Sequence, residues 1–209
     1  MRQIRLSPHW TLPILLALSL ALFLSACGGS SSPGQSSSSG AQAATPTTPP
    51  IAPADLTTYQ AQHYTISYPK DWAKAVVGDN VTFTSTGAQK GYFAIEEIAN
   101  PDAITPISAG ITGSINGLKT TFPDNFMQEQ IPNTTTINGV TWNQGGITGG
   151  SSSNGQTRSI KAIVLGANHP EKAADTKLYL IIYAADTKDF DQMASSDFQP
   201  MLTSLKFNS

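Results

Sequence analysis

The residue with the most distinctive chemistry in this 209-residue chain is its only cysteine, Cys27. It follows Leu24-Ser25-Ala26 at the seam where an apolar run stops and a serine and glycine tract begins. A thiol is the side chain that alkylates to a stable thioether, and small Ser25 and Ala26 leave the preceding peptide bond open to a peptidase. With no second cysteine, a disulfide within the chain is excluded. The pattern predicts that Cys27 receives a diacylglycerol thioether and becomes the first residue after cleavage.

The other candidate residues do not converge. His63 and His169 are the histidines beyond Cys27, and neither has a second His or Cys at ligand spacing, so no metal is expected. Serines are many, but no G-x-S-x-G elbow accompanies them. Asp186, Asp189 and Asp191 cluster without the central glycine and distal glutamate of a calcium loop, and the dipole at a helix N-terminus accounts for them. Glu96 and Glu97 are adjacent on a predicted strand and point to opposite faces, so they do not form an acid/base pair. Residues 143–157, NQGGITGGSSSNGQT, match neither a P-loop nor a dinucleotide fingerprint. They are expected to form a long mobile hairpin loop, a rim whose backbone donors can close over a ligand. Gly110, Gly113 and Gly117 share an arc of about 60° on a predicted helix, where each costs about 1 kcal/mol against alanine. That stripe is the candidate partner-contact surface. No catalytic residue, metal or cofactor is expected.

Residues 1–26 read as a signal peptide, with Arg2 and Arg5 ahead of the apolar run LPILLALSLALFLSA at 12–26. As a helix that run spans about 22 Å, short of the roughly 30 Å hydrocarbon core. The four residues Leu24 to Cys27 resemble a bacterial lipobox, which implies acyl chains such as palmitate on Cys27 and a lipid anchor on the extracytoplasmic face of the cell membrane. Residues 27–56 are mostly Ser, Gly, Gln, Ala, Thr and Pro and are expected to be a disordered linker. Without Arg2 and Arg5, the 12 basic residues of the chain become fewer still against 14 acids, and no basic cluster exists. Nucleic acid and anionic headgroups are therefore poor partners.

Residues 57–209 have the length of one domain. Alternation predicts strands at 64–68, 73–77, 81–84 and 92–98. Ile107, Ile111, Ile115, Leu118 and Phe122 recur at helical spacing, with Thr105 as N-cap and Pro106 at the first helical position. Asn138-Gly139 predicts a two-residue turn between strands at 134–137 and 140–147. Strands at 158–165 and 177–185 follow. The closing stretch 187–205 puts Phe190, Ala194, Phe198, Met201 and Leu205 on one face, with two short helices expected to break near Ser195-Ser196 because of Pro200.

YTISYPKDW at 64–72, a first helix after the early strands, the hairpin, two long strands and a final MLTSLKF at 201–207 together resemble the PsbP family and its bacterial lipoprotein relatives. The resemblance implies an α/β domain of the α+β type, with a central antiparallel sheet of about six or seven strands sandwiched between helices. It also implies an accessory or scaffold-like role. The expected function is a non-catalytic module, anchored through Cys27, that contacts another envelope protein. The rivals are an envelope hydrolase using a serine of 151–153 with His63 or His169 as base, and a small-ligand-binding lipoprotein, which requires a cavity of several hundred cubic ångströms between sheet and helix.

Overall fold

The computed structural model describes residues 55–208 except Asn154. The signal peptide, Cys27 and nearly all of the expected linker lie outside the described residues. The domain starts with β1 (Leu56–Gln60), β2 (Tyr64–Pro69), β3 (Trp72–Val77), β4 (Asn80–Ser85) and β5 (Gly91–Ala99). Helix α1 (Ile107–Thr121) follows, then β6 (Asp124–Glu129), β7 (Thr134–Ile137), β8 (Val140–Ser153), β9 (Gln156–His169) and β10 (Lys177–Asp186). The chain ends in α2 (Phe190–Met193), a π turn (Ala194–Phe198), α3 (Gln199–Ser204) and β11 (Lys206–Phe207).

The main sheet is larger than expected: eight strands in the order β3-β4-β5-β10-β9-β8-β6, with β7 paired to β8, all antiparallel. A second sheet, β1-β2-β11, joins the two ends of the described chain. Helices reach both faces as expected, but only α1 covers its face without a second sheet. There α1 lays Ile107, Ile111, Ile115 and Leu118 over Ala94, Val164, Leu178, Leu180 and Ile147. On the other face the small sheet shares the cover with the C-terminal helical segment, because Tyr64 and Ile66 of β2 bury against Phe83, Phe93 and Tyr179 alongside Phe198, Met201 and Leu205. Strands β1, β6 and β11 were not expected, since their side chains barely alternate in polarity; β1 is ordered by its hairpin with β2, and β6 and β11 by pairing with distant residues.

The glycine-rich run corrects a second expectation. It is not a loop: β8 and β9 pair from Asn143↔Gly166 to Ser153↔Gln156, and Gly155, with φ of 75°, lies in the turn that precedes β9. The glycines let α1 approach the sheet. A Cβ at Gly145 would lie 2.9 Å from Ile115, one at Gly166 2.7 Å from Ile107, and one at Gly149 2.6 Å from the Phe122 carbonyl oxygen. Because that last neighbour is backbone, Gly149→Ala should lower stability by about 1–3 kcal/mol, read as a lower denaturant midpoint at unchanged slope.

The Asn138-Gly139 turn forms as expected, with φ of 50° and 82°. Asn138 also does long-range work, its side-chain amide donating to the carbonyls of Thr203 (2.9 Å) and Leu205 (2.7 Å) at the end of α3. The expected break near Ser195-Ser196 is instead a widened π turn inside continuous helical backbone. Widening just ahead of Pro200 accommodates a ring that lacks an N–H and crowds the preceding turn.

Candidate functional site

The polar side chains that sequence left scattered gather at the two ends of the main sheet. One end carries the β8–β9 turn, the other the ends of β5 and β9 and the starts of β8 and β10.

At the turn end Ser152 is engaged in structural hydrogen bonds. Ser152 Oγ donates to Asp124 Oδ2 at 3.0 Å and lies 3.2 Å from Thr157 Oγ1. The three aspartates each meet a different cation: Asp186 pairs with Arg158 (2.6 Å), Asp189 with Lys188 (2.9 Å) and Asp191 with Lys161 (3.6 Å). Their carboxylates therefore do not converge, and no group of three His, Cys, Asp or Glu among the described residues could hold a metal.

Both histidines belong to the opposite end. His169 closes β9, eleven residues from the Arg158 that pairs with Ser151, a separation of about 36 Å along an extended strand. Its ring stacks on Phe207 at 3.9 Å, and burial moves its pKa below the usual histidine value. His63 Nδ1 lies 2.7 Å from Glu97 Oε1, and Lys177 Nζ is 3.3 Å from the same oxygen. The His63 contact is a close approach rather than an aligned hydrogen bond, since neither atom satisfies hydrogen-bond geometry. Tyr179 lies close to Glu97, and burial followed by that carboxylate raises the phenol pKa above its usual value. An imidazole, an ammonium and a phenol thus surround one carboxylate whose side chain is 3% exposed. This cluster ties the β1–β2 connection to β5 and β10, and sequence gave no hint of it because its members are 34 to 82 positions apart from Glu97.

Glu96 points to the α1 face, as alternation requires, beside Leu180. Burial raises its carboxyl pKa, and Tyr92, buried and close to the Glu96 charge, is pushed up to about 12. The folded protein holds the Glu96 proton more tightly than the unfolded chain does. This contribution to stability is fullest below the ordinary carboxylate range and falls as pH rises through the raised pKa. Glu96→Gln should therefore be more stable than the wild type at pH 7, with the difference vanishing in acid, as measured by urea midpoints at both pH values.

On that same α1 face, at the histidine end, a cleft of about 490 Å³ opens between the start of α1 and the sheet. Its lining includes Asn133, Asn143, Asn168, Ser108, Thr112 and Ile111, and no charged side chain. Each wall has an identifiable support. Asn100 receives the Thr105 N–H on its side-chain oxygen (2.8 Å) and donates to the Thr105 carbonyl and to Asn168 Oδ1 (3.0 Å each). The start of α1 is thereby tied to β9. Pro106 is the N-cap, one residue later than expected, and no side chain caps the helix. Across the cleft, β8 changes partners from β7 to β6, and the chain between them is pinned by Gln144, whose backbone N–H bonds the Asn133 carbonyl (2.8 Å) and whose side chain bonds the Pro132 carbonyl (2.7 Å). These amides were missed because only folding brings 133, 143 and 168 together.

The proposed glycine stripe divides in the structure. Gly110 faces the sheet, where a Cβ would lie 2.9 Å from Leu178, whereas positions 113 and 117 have open space around them. The three therefore do not line one groove. Gly113→Ala should raise stability by about 0.5–1 kcal/mol, since it removes the cost of glycine in a helix without a clash; a lower denaturation midpoint would contradict the open geometry.

No helix among the described residues is long and apolar enough to cross a membrane. No family model matches the chain, and no curated protein does. Among solved structures it is similar to a protein of Bacteroides thetaiotaomicron VPI-5482, at 9% identity and a TM-score of 0.43, over 70% of this chain and 45% of that one. The chain thus spans less than half the length of that protein. It is also similar to LpqN of Mycobacterium tuberculosis, described as involved in cell envelope biogenesis, at 10% identity and a TM-score of 0.46, over 74% of this chain and 91% of that one.

Proposed function

We propose that this chain is a lipid-tethered, non-catalytic binding module on the extracytoplasmic face of a cell membrane, and that it presents the Asn-lined cleft to a component of the cell envelope. The address comes from the sequence around Cys27, and the PsbP-like pattern of 64–72 supports an accessory role. The observation that carries the binding reading is the cleft itself, whose volume of about 490 Å³ falls within the range of small-ligand sites. It favours ligand capture, the reading that required such a space, over docking on a flat protein surface. The hydrolase reading fares worse, because His169 and the serines of 151–153 sit at opposite ends of β9 and His63 faces Glu97.

The test is in-cell photo-crosslinking with the full-length protein. A photoreactive residue at Thr112, on the rim of the cleft, should give a reproducible adduct, and one at Lys90, beside the far end of β5, should not. Equal labelling at both positions, or none at Thr112, would remove the cleft from the function.

A further inference from the structure

We infer that the cleft takes a neutral saccharide chain, with Asn143 and Asn168 as the residues that read its hydroxyls; this rests on the binding role proposed above. Charge narrows the class of ligand. The lining carries no Lys, Arg, Asp or Glu, so a phosphate, a carboxylate or an amine would surrender its water without meeting an opposite charge. Neutral, polar ligands escape that cost.

The polar groups in the cleft suit hydroxyls. A carboxamide offers both a donor and an acceptor, and a hydroxyl is both as well, so the two match in either sense. Asn143 pairs with Gly166 across β8 and β9, which places Asn168 two residues along on the same face. Such diagonal neighbours lie about 7–8 Å apart, a separation one sugar ring bridges. Asn168 is also fixed in orientation: its oxygen accepts from Asn100, leaving the amide nitrogen as a donor for a ligand. Ser108 and Thr112 add hydroxyls from α1, while Ile107 and Ile111 supply an apolar floor for the C–H face of a ring.

Strand pairing at the cleft favours a saccharide over a peptide. Extended peptides bind chiefly by adding a strand to a free edge. Here β8 at Asn143 is flanked by β7 and β9, and the Gln144 N–H is taken by Asn133. The backbone is engaged, and recognition falls to side chains.

The experiment presents full-length protein in detergent micelles to immobilised neutral trisaccharides (maltotriose, cellotriose, mannotriose and arabinotriose), with glucuronate- and glucosamine-containing trisaccharides alongside. At least one neutral sugar should bind in preference to the charged ones, and Asn143→Asp and Asn168→Ala should each weaken it about tenfold. Asn143→Asp guards against simple unfolding, because it keeps the side-chain size and leaves the Asn100–Asn168 bond in place. No binding of any neutral sugar, preference for a charged one, or binding indifferent to both substitutions would overturn the inference. A protein adduct at Thr112 without any sugar bound would overturn it too, yet leave the binding role standing; absence of any Thr112 adduct would fail the binding role instead.

Discussion

Phe198→Ala should cost about 3–5 kcal/mol of stability, the range for truncating a fully buried aromatic ring. Phe198 is 0% exposed and is the ring on which the larger core converges. It meets Trp72 edge-on at 5.9 Å and packs at an angle against Tyr183 at 5.1 Å, Phe190 at 6.1 Å and Phe93 at 6.4 Å. These partners come from β3, β10, α2 and β5, so rigid elements surround the space it would vacate and collapse is difficult. A single domain has only about 5–15 kcal/mol in total, so the variant should sit near the edge of folding at 37 °C. Phe198→Leu, which refills most of the volume, should retain most of the stability. Urea titrations of the three proteins decide this, and a loss below about 1 kcal/mol for the alanine variant would mean that the C-terminal helical segment is not packed on the sheet as described.

Cys27→Ser should abolish the lipid anchor, releasing the domain from membranes or leaving the leader uncleaved, an effect larger than any substitution within the domain. The thioether needs sulfur, and serine leaves the leader uncleaved or the product without acyl chains. Each buried CH₂ contributes about 0.8 kcal/mol, a single chain of myristoyl length binds only marginally, and two or three chains hold firmly. Fractionation with detection of the domain should find the wild type with membranes at its processed mass plus diacylglycerol. The variant should appear at the precursor mass or in the soluble fraction. A processed, membrane-bound serine variant would sink the lipid assignment.

These two residues mark the limits of what could be read before folding. The lipid anchor proposed at Cys27 rests on a short contiguous peptide, because the peptidase and lipid transferase it invokes would act on neighbouring residues. The strands β2 to β5 and β7 to β10 and helix α1 were legible for a related reason: periods of two and of about 3.6 are local consequences of backbone geometry. Asn138-Gly139 announced its turn because glycine and asparagine tolerate positive φ at small cost.

The glycines at 145–150 show where local reading stops. In isolation they resemble a flexible loop, since glycine lowers strand propensity, and only the approach of Phe122 and Ile115 from α1 makes an absent side chain an advantage. The same holds for polar chemistry. Glu97 gained His63, Lys177 and Tyr179 as neighbours through pairings across three elements, and Asn133, Asn143 and Asn168 became one cleft when β8 exchanged β7 for β6 beside the end of β9. Periodicity says which way a side chain points from its own strand. Which side chains it then meets depends on strand order and register, and those are settled by burial summed over the entire sheet.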